Sequence, residues 1–416
     1  MGLGGDPALI FLHCEKAEAD TSYEMIILGA GCAGLSLCCH LLSQGAASPI
    51  LLLDRRTGYS EDRTWCFWDT RPTLFSPLVS HTWHKWSVRA ASGYEAVQSQ
   101  TSGGYSCVRG ADFYASALAQ IARHPNVTLR LGETLQGYTE DAHGVMVRTD
   151  RGEYGSKYLF DSASPLPTPH RHDVVLRQRF FGQTVQTDRP IFDPAQATLM
   201  DFGVERTPNT LHFMYVLPFS PTEALIENTF IGRDCVVSPD THRRQIADYA
   251  RRRWQLADFA IVREEAGDLP MTTQSLPLRH GKHVFYIGTG AGSVKPSSGY
   301  AFARIGEHTR LLAQAFAAGR LDTIPRRLAP PKFAFLDTVF LTALQRDPEQ
   351  FAFVFYALFK QAPTACLVRF LSETSTWQDD LLILRALPKK PFLRAALRSL
   401  PLWLPRLLAR HTTPTP

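Results

Sequence analysis

The chain has 416 residues, of which 44% are hydrophobic and 20% charged, a composition typical of folded globular proteins without a large disordered part. Its length predicts two domains with room for a further segment. The formal net charge of +5 is small and gives no reason to expect a nucleic-acid partner.

The eight cysteines form no C-x-x-C pair and no repeated spacing. This favours free thiols in a reducing cytoplasm over a disulfide framework or a zinc site, so no metal site is expected. The first 22 residues lack the basic start and long apolar core of a signal peptide. No apolar run reaches the roughly 18 residues of a membrane span. We therefore expect a cytoplasmic protein whose membrane contact is peripheral.

The segment Tyr23–Gly45 (YEMIILGAGCAGLSLCCHLLSQG) passes from an apolar strand through glycines into a helical pattern. Gly29, Gly31 and Gly34 form G-x-G-x-x-G, in which the first glycine permits a tight turn, the second lets the backbone approach a pyrophosphate, and the third allows close helix–strand packing. The N-terminus of the helix then faces the phosphates with its positive end. A second apolar strand ends in Asp54, where a carboxylate would accept hydrogen bonds from a ribose. Together these features predict a dinucleotide site.

An aromatic segment follows, Glu61–Asp69 (EDRTWCFWD). Its rings Trp65, Phe67 and Trp68 would by default be core packing, but as a group their faces could hold an apolar ligand and stabilise a cation. Arg63 could pair with Asp62 or Asp69, or contact a bound cofactor.

Two strands joined by a polar turn are predicted over Val216–Phe230. Glu227 near the end of the second strand could face solvent, as most strand glutamates do, or serve as a buried acid. Asp201, after another strand, could be an ordinary acid at a strand end or lie near the same site.

Elements later in the chain indicate whether the expected dinucleotide is NAD or FAD. Tyr158–Ser164 (YLFDSAS) is another strand ending in an acid, and His283–Gly319 is a strand, a glycine-rich turn and a long helix. This late unit resembles the flavin-contacting element of FAD-dependent proteins and would place four glycines near a flavin: Gly288, Gly290, Gly292 and Gly299. Thr289 stands where flavin hydroxylases usually have an Asp.

The sequence predicts that the C-terminal part is helical. Phe351–Phe359 is apolar nearly all round and is therefore buried or in contact with lipid. From Leu381 to Pro416 there are no acids but seven basic residues: Arg385, Lys389, Lys390, Arg394, Arg398, Arg406 and Arg410. With Trp403 as an interfacial anchor, this segment could lie on an anionic membrane, or it could pack on the body with a solvated basic face.

These motifs resemble the bacterial lycopene β-cyclases of carotenoid synthesis over nearly the whole chain after residue 22. The segments that carry the resemblance are Glu61–Asp69, Leu199–Arg206 (LMDFGVER), Tyr215–Phe230 (YVLPFSPTEALIENTF), Gly290–Arg304 (GAGSVKPSSGYAFAR), Leu344–Glu349 (LQRDPE), Arg369–Glu373 (RFLSE) and Leu387–Ala395 (LPKKPFLRA). Asn228 departs from the family where a second acid is frequent, and Lys295 where histidine is frequent.

The resemblance implies an α/β fold with a Rossmann-like FAD-binding domain, a β-sheet substrate domain and a C-terminal helical region. The expected boundaries are an N-terminal extension over 1–22, a discontinuous FAD-binding domain (23–80, 101–165 and 275–320), a substrate domain (81–100 and 166–274) and a membrane-facing region (321–416).

The implied activity is the redox-neutral, acid-catalysed cyclisation of the ends of lycopene to β-rings by an isomerase that uses reduced FAD, with NAD(P)H as reductant. Glu227 and Asp201 are the expected catalytic residues, and Trp65, Phe67, Trp68 and Tyr300 the expected substrate-binding residues. Gly29, Gly31, Gly34, Asp54, Arg63 and the four late glycines would hold FAD. With Asn228 in place of the second acid, Glu227 would carry the proton alone. The alternatives are an FAD-dependent hydroxylase or reductase of an isoprenoid substrate, and a non-enzymatic carotenoid-binding flavoprotein.

Overall fold

The computed structural model describes residues 23–408 apart from residue 326, with side chains as far as residue 400. The expected N-terminal extension, together with Cys14, lies outside this range, as do the side chains of Trp403, Arg406 and Arg410.

The described strands, in chain order, are β1 (Tyr23–Leu28), β2 (Ile50–Asp54), β3 (Thr64–Asp69), β4 (Val79–Trp83), β5 (Lys85–Arg89), β6 (Glu95–Ser99), β7 (Gly104–Arg109), β8 (Val127–Leu131), β9 (Leu135–Glu140), β10 (Val145–Thr149), β11 (Glu153–Asp161), β12 (Val175–Gln186), β13 (Gln196–Asp201), β14 (Leu211–Pro218), β15 (Glu223–Gly232), β16 (Ala260–Thr272), β17 (Arg279–His280) and β18 (Val284–Tyr286). The described α-helices are α1 (Cys32–Ser43), α2 (Gly110–Ile121), α3 (Pro239–Trp254), α4 (Phe302–Ala317), α5 (Pro331–Arg346), α6 (Phe351–Gln361), α7 (Thr364–Leu371), α8 (Trp377–Ala386) and α9 (Lys389–Leu408).

An eight-stranded sheet contains the predicted nucleotide-binding unit. Its central strands run parallel in the order β8–β2–β1–β11–β18, and β9, β10 and β17 add antiparallel pairings at its margins. Because side chains alternate along a strand, Met25 and Ile27 of β1 pack against α1, α2 and α4, while Ile26 and Leu28 pack against β10 and β11 on the other face. The predicted α/β class with a Rossmann-like unit is confirmed.

A seven-stranded sheet follows the order β16–β12–β15–β14–β13–β5–β6. One face packs on α3 through Met214, Val216 and Ile226, and the other packs toward the C-terminal helices through Phe213 and Leu225. The turn after β14 is closed by a hydrogen bond from the amide of Phe219 to the carbonyl of Glu223, as the sequence predicts. A three-stranded sheet, β3–β7–β4, completes the described strands.

The described part of the C-terminal region contains five α-helices, α5 to α9. Helix α6 buries Phe351, Val354, Leu358 and Phe359 in the core, so most of this apolar segment is interior, although Phe353 is exposed. Among the described helices, none combines the length and the apolar character that crossing a membrane requires.

A buried cluster of four charges ties this helical region to the loop that precedes α4. The ammonium group of Lys295 lies 3.0 Å from an oxygen of Asp337 on α5 and 3.0 Å from an oxygen of Glu373 after α7. Arg304 approaches the same oxygen of Glu373 at 3.2 Å. Burial alone would raise the pKa of Glu373, but Lys295 and Arg304 outweigh that effect and lower it.

We expect Lys295→Met to lower the free energy of unfolding by about 3–5 kcal/mol, because Asp337 would be left buried with its ion partner removed. Urea unfolding followed by circular dichroism measures the change. The control is Arg148→Met, whose ion pair with Glu153 is exposed and should contribute at most about 1 kcal/mol. Equal small effects of both substitutions would contradict a structural role for the cluster.

Candidate active site

The N-terminus of α1 forms an open cradle at the end of β1. Gly29 has φ = 87°, a conformation that side chains other than glycine rarely adopt. A Cβ atom at Gly34 would overlap the carbonyl oxygen of Gly29, whereas a Cβ at Gly31 would meet just one atom within 4 Å, of Arg56 at 3.5 Å. No side chain caps this helix, so its first amide groups are available to a phosphate.

Asp54 at the end of β2 stands beside this cradle. Its carboxylate accepts hydrogen bonds from the amides of Ala30 at 2.7 Å and Arg56 at 2.8 Å, and it pairs with the Arg56 guanidinium at 3.1 Å. The Arg56 guanidinium in turn lies over the ring of Tyr59 at 4.9 Å. An acid fixed at this strand end, next to open helix amides, fits the ribose and pyrophosphate of a dinucleotide.

The late glycine-rich loop meets the same cradle. A Cβ at Gly288, where φ = 62°, would lie 2.9 Å from the Cβ of Ala33 on α1, so loop and helix are in direct contact. Gly290 and Gly292 continue the loop, and Gly299 adopts φ = 75° just before Tyr300. No side chain caps α4 after the loop, which leaves a second set of helix amides free. The residues present therefore fit an extended dinucleotide, and the loop beside the cradle continues to Gly299 and Tyr300.

A large cavity of about 770 Å³ extends from this junction to the C-terminal helices. Apolar side chains line most of it, among them Phe213, Val339, Phe340, Val354, Phe355 and Leu358. Five of its lining residues on α8 and α9 are also exposed, which marks where the cavity opens: Leu381, Leu384, Arg385, Lys389 and Leu393. The volume lies within the range of small-molecule sites.

Glu227 lies in the inner part of this cavity and is 8% exposed. One carboxyl oxygen accepts a hydrogen bond from the hydroxyl of Thr229 at 2.6 Å. Burial, which is the largest cause, and the nearby Glu265 together raise the pKa of the Glu227 carboxyl from its ordinary value of 4.5 to about 8, although the Thr229 hydrogen bond opposes them. At neutral pH the carboxyl therefore holds its proton and can act as an acid.

The neighbours of Glu227 differ from those expected from the sequence. Ile226 and Phe230 point to the opposite face of the sheet, and so does Asn228, whose amide binds His212 at 2.7 Å and Gln245 at 2.7 Å. Position 228 next to Glu227 is not an acid, but a second acid lies on the same face of the sheet, because the side chains on one face come from alternate residues of several strands. Glu265 of β16, which the sequence analysis missed, is the neighbouring acid.

Three tyrosines and a cysteine surround the acid. The hydroxyls of Tyr105 and Tyr215 are 2.7 Å apart, and the rings of Tyr105 and Tyr300 have centroids 5.9 Å apart. Cys66 lines the same part of the cavity. Burial raises the pKa of all three phenols, so these rings are neutral near physiological pH.

Asp201 is not brought to the cavity. It lies opposite Met214, on the α3 side of the sheet, and is fully buried. Its carboxylate pairs with Arg89 at 3.2 Å and accepts a hydrogen bond from the hydroxyl of Tyr249 on α3 at 2.8 Å. We correct the expected catalytic role to a structural one, since the sheet separates Asp201 from Glu227.

Some side chains of the aromatic segment Glu61–Asp69 line the cavity, and others pack in the core. Trp65, Tyr300 and Arg63 line the cavity. The guanidinium of Arg63 donates hydrogen bonds to the carbonyls of Asp62 and Ala266, each at 2.7 Å. Phe67 packs against Phe302, and Trp68 packs against the fully buried Trp86. The expected substrate contacts of Phe67 and Trp68 are therefore corrected to core packing.

The seven described cysteines are all free. Among the described residues, no group of three or more His, Cys, Asp and Glu side chains is arranged to hold a metal ion.

A family model and individual known proteins that are similar to this chain point to the same family. The family model described as "Lycopene cyclase protein" matches residues 24–397. The lycopene beta-cyclase of Pantoea ananas is 26% identical over 396 residues, which cover 90% of this chain and 97% of that protein. The lycopene beta-cyclase of a Paracoccus species is 29% identical over 297 residues, covering 67% of this chain and 70% of that protein.

Solved structures share the fold at much lower identity. A flavoprotein/dehydrogenase from Cytophaga hutchinsonii superposes with a TM-score of 0.56 at 11% identity, covering 91% of this chain and 99% of that one. A geranylgeranyl bacteriochlorophyll reductase-like protein from Thermoplasma acidophilum gives 0.53 at 10% identity, covering 91% and 98%.

We expect Gly34→Ala to lower the FAD content of the purified protein at least about 10-fold, because the added methyl group would push α1 away from the Gly29 carbonyl and close the cradle. The flavin absorbance per protein after gel filtration measures the content. The matched control is Gly306→Ala, also inside a helix but with open space around the new Cβ, which should retain FAD. Normal flavin content in Gly34→Ala would contradict this location of the cofactor.

Proposed function

This chain belongs to the lycopene cyclase family, and from that premise we propose that it is a lycopene β-cyclase, an isomerase that closes the acyclic ends of lycopene to β-rings. The observation that carries the proposal is the Glu227 carboxyl. It is an acid with a raised pKa of about 8 inside a predominantly apolar cavity, as the protonation of an isolated alkene requires.

The reaction begins with transfer of the Glu227 proton to C2 of the C1=C2 bond. The electron pair of that bond forms the new C–H bond and leaves a tertiary cation at C1. The C5=C6 bond then attacks C1, which closes the ring and moves the cation to C5. A base then takes a proton from C6, which restores the C5=C6 bond, and the Glu227 carboxylate regains its proton from solvent. The product is therefore an isomer of the substrate, and no net oxidation occurs.

The cavity wall favours this sequence in two ways. Its apolar lining excludes water, which would otherwise capture the cation. The faces of Tyr105, Tyr215, Tyr300 and Trp65 present negative π-density, and the phenols add neutral dipoles that can orient around positive charge.

FAD is the proposed cofactor, held by the α1 cradle with Gly29, Gly31 and Gly34, by Asp54, and by the late loop with Gly288, Gly290, Gly292 and Gly299. Arg63 would face its flavin end. When bound in its reduced anionic form, the flavin supplies negative charge that stabilises the carbocation. NAD(P)H is the proposed reductant, and it would reduce the flavin without being consumed in each turnover.

The proposed domains follow the expected boundaries. Sheet membership supports them, because β5 and β6 in residues 81–100 join the sheet built from residues 166–274, while residues 275–320 return to the nucleotide-binding sheet through β17 and β18. Strand β4 crosses the boundary at residue 80.

We expect Glu227→Gln to reduce cyclisation at least about 1,000-fold, because the amide keeps the shape of the side chain but is too weak an acid to protonate an alkene. The measurement is chromatography of the pigment after incubation with lycopene, FAD and NADPH. FAD content should be unchanged, because Glu227 lies outside the cradle.

The control is Glu223→Gln at the start of the same strand, outside the cavity lining, which should keep its activity. Turnover retained by Glu227→Gln would remove the acid's role from this residue. A hydroxylase or reductase would instead consume one NADPH per turnover, and a carotenoid-binding protein would leave the pigment unchanged.

The protein is also proposed to work at the inner face of the membrane, in which lycopene dissolves. Leu393, Leu397 and Leu400 lie at helical spacing along α9 and are exposed. Exposed basic residues accompany them: Arg385, Lys389, Lys390, Arg394 and Arg398. Exposed leucines among cations, beside the cavity opening, support docking on an anionic leaflet.

Replacing both Leu393 and Leu397 with Glu should reduce binding to anionic liposomes about 10-fold or more, because each substitution removes apolar contact and adds repulsion. Liposome flotation measures the bound fraction. The control is Val236→Glu, a similar change at an exposed position outside the C-terminal helices. Wild-type protein that stays wholly in the soluble fraction would contradict the membrane proposal.

A further inference from the structure

Two acidic side chains face each other across a glycine. Strand β12 lies between β15 and β16, and its residue Gly182 is opposite both Glu227 and Glu265. A Cβ at Gly182 would lie 3.3 Å from the Cγ of Glu265 and 3.6 Å from the Cβ of Glu227. The two glutamates therefore flank one position from which a side chain is missing, on the same face of the sheet.

Glu265 is buried and firmly held. One carboxylate oxygen accepts hydrogen bonds from Arg263 at 2.6 Å and from the hydroxyl of Thr64 on β3 at 2.7 Å. Arg263 also donates to Thr64 at 2.8 Å and lies 3.6 Å from Glu61. The side chain of Glu265 is 2% exposed, so its negative charge is fixed in place and poorly screened by water.

Other groups do not supply a second negative charge to Glu227. The titratable and charged side chains around its part of the cavity are Arg63, Cys66, Tyr105, Tyr215, Arg263, Glu265 and Tyr300. Burial raises the pKa of the phenols and of the Cys66 thiol, so these groups are neutral. Four charged lining residues farther along the cavity are in ion pairs of their own, namely Asp268, Lys295, Asp337 and Asp380. Arg385 and Lys389, which also line the cavity, are positively charged and exposed at its opening.

We propose that Glu265 is a positioning residue for the acid: a second buried carboxylate that faces Glu227 across Gly182 and keeps the proton on Glu227 until an alkene is present. Arg263 and Thr64 hold the charge of Glu265, which leaves Glu227 as the member of the pair that stays protonated. Two negative charges on one buried face of the sheet, with no side chain at Gly182 between them, would repel each other. The inference rests on the proposed function for its catalytic consequence, but the coupling of the two carboxyls can be measured without turnover.

The test is the pH dependence of Glu265→Gln. A general acid is active while protonated, so the wild-type rate should fall as pH rises through about 8, the raised pKa of Glu227. Removal of the Glu265 charge should move this alkaline limb to lower pH, on the order of 1 unit, while the rate at low pH remains close to wild type. The matched control is Glu264→Gln on the opposite face, where Glu264 pairs with Arg243, and its pH profile should not move.

A second readout does not depend on activity. Infrared spectroscopy of the protein follows the C=O stretching band of a protonated carboxyl, and the band of Glu227 is the one that is lost in Glu227→Gln. In Glu265→Gln, the pH at the titration midpoint of this band should fall by the same amount as the alkaline limb of the rate. The double variant Arg263→Gln/Glu265→Gln removes both members of the ion pair, so it leaves no unpaired charge if the single variant fails to fold. It should show a smaller downward shift, because the loss of the Arg263 cation partly offsets the loss of the Glu265 charge.

A uniform loss of rate at every pH with an unchanged titration midpoint would overturn the proposal and leave Glu265 a structural role. If wild-type protein shows no cyclisation while the band still shifts, the proposed function fails and the coupling of the two carboxyls stands.

Discussion

The proposed chemistry of this molecule depends on the cost of a negative charge on a carboxyl that is cut off from water. Glu227 occupies a sheet face between Leu225 and Tyr215, directed into an apolar cavity, and the free energy of ionising it there exceeds that in solvent. The side chain therefore keeps its proton at a pH where ordinary glutamates have lost theirs. Proton donation to an alkene follows from this constraint, since few groups available to a protein combine sufficient acidity with a proton still in place.

Two parts of the fold form the surroundings of Glu227, the seven-stranded sheet and the C-terminal helices. The seven-stranded sheet places the acid on one face and uses the other face for α3. The C-terminal helices close the apolar chamber above it and are tied to the late glycine-rich loop through Lys295, Asp337 and Glu373. That loop also contacts the N-terminus of α1 at Gly288. The proposed flavin site, the acid and the substrate chamber are thus connected through one short segment.

Local patterns in the sequence predicted much of this structure. The strand, glycine turn and helix around Gly29 and the hairpin that carries Glu227 depend on neighbours a few residues apart, so spacing alone identified them. The environment of the acid could not be predicted in the same way. Glu265 meets Glu227 through the register of three strands, which no local pattern encodes. The predictions that placed Asp201, Phe67 and Trp68 at the site were wrong for a related reason. The face to which a strand residue points depends on pairing with distant strands.

The most direct test of proton donation by Glu227 is to determine where the hydrogen that enters the ring comes from. The protein is equilibrated in D₂O, where the Glu227 carboxyl exchanges its proton, and is then given lycopene for a single turnover. The β-ring product is analysed by mass spectrometry and NMR. We expect one deuterium in each new ring, at C2, and we expect Glu227→Gln to form no ring product in the same time. Rings that form without deuterium at C2 would contradict proton donation by an exchangeable acid.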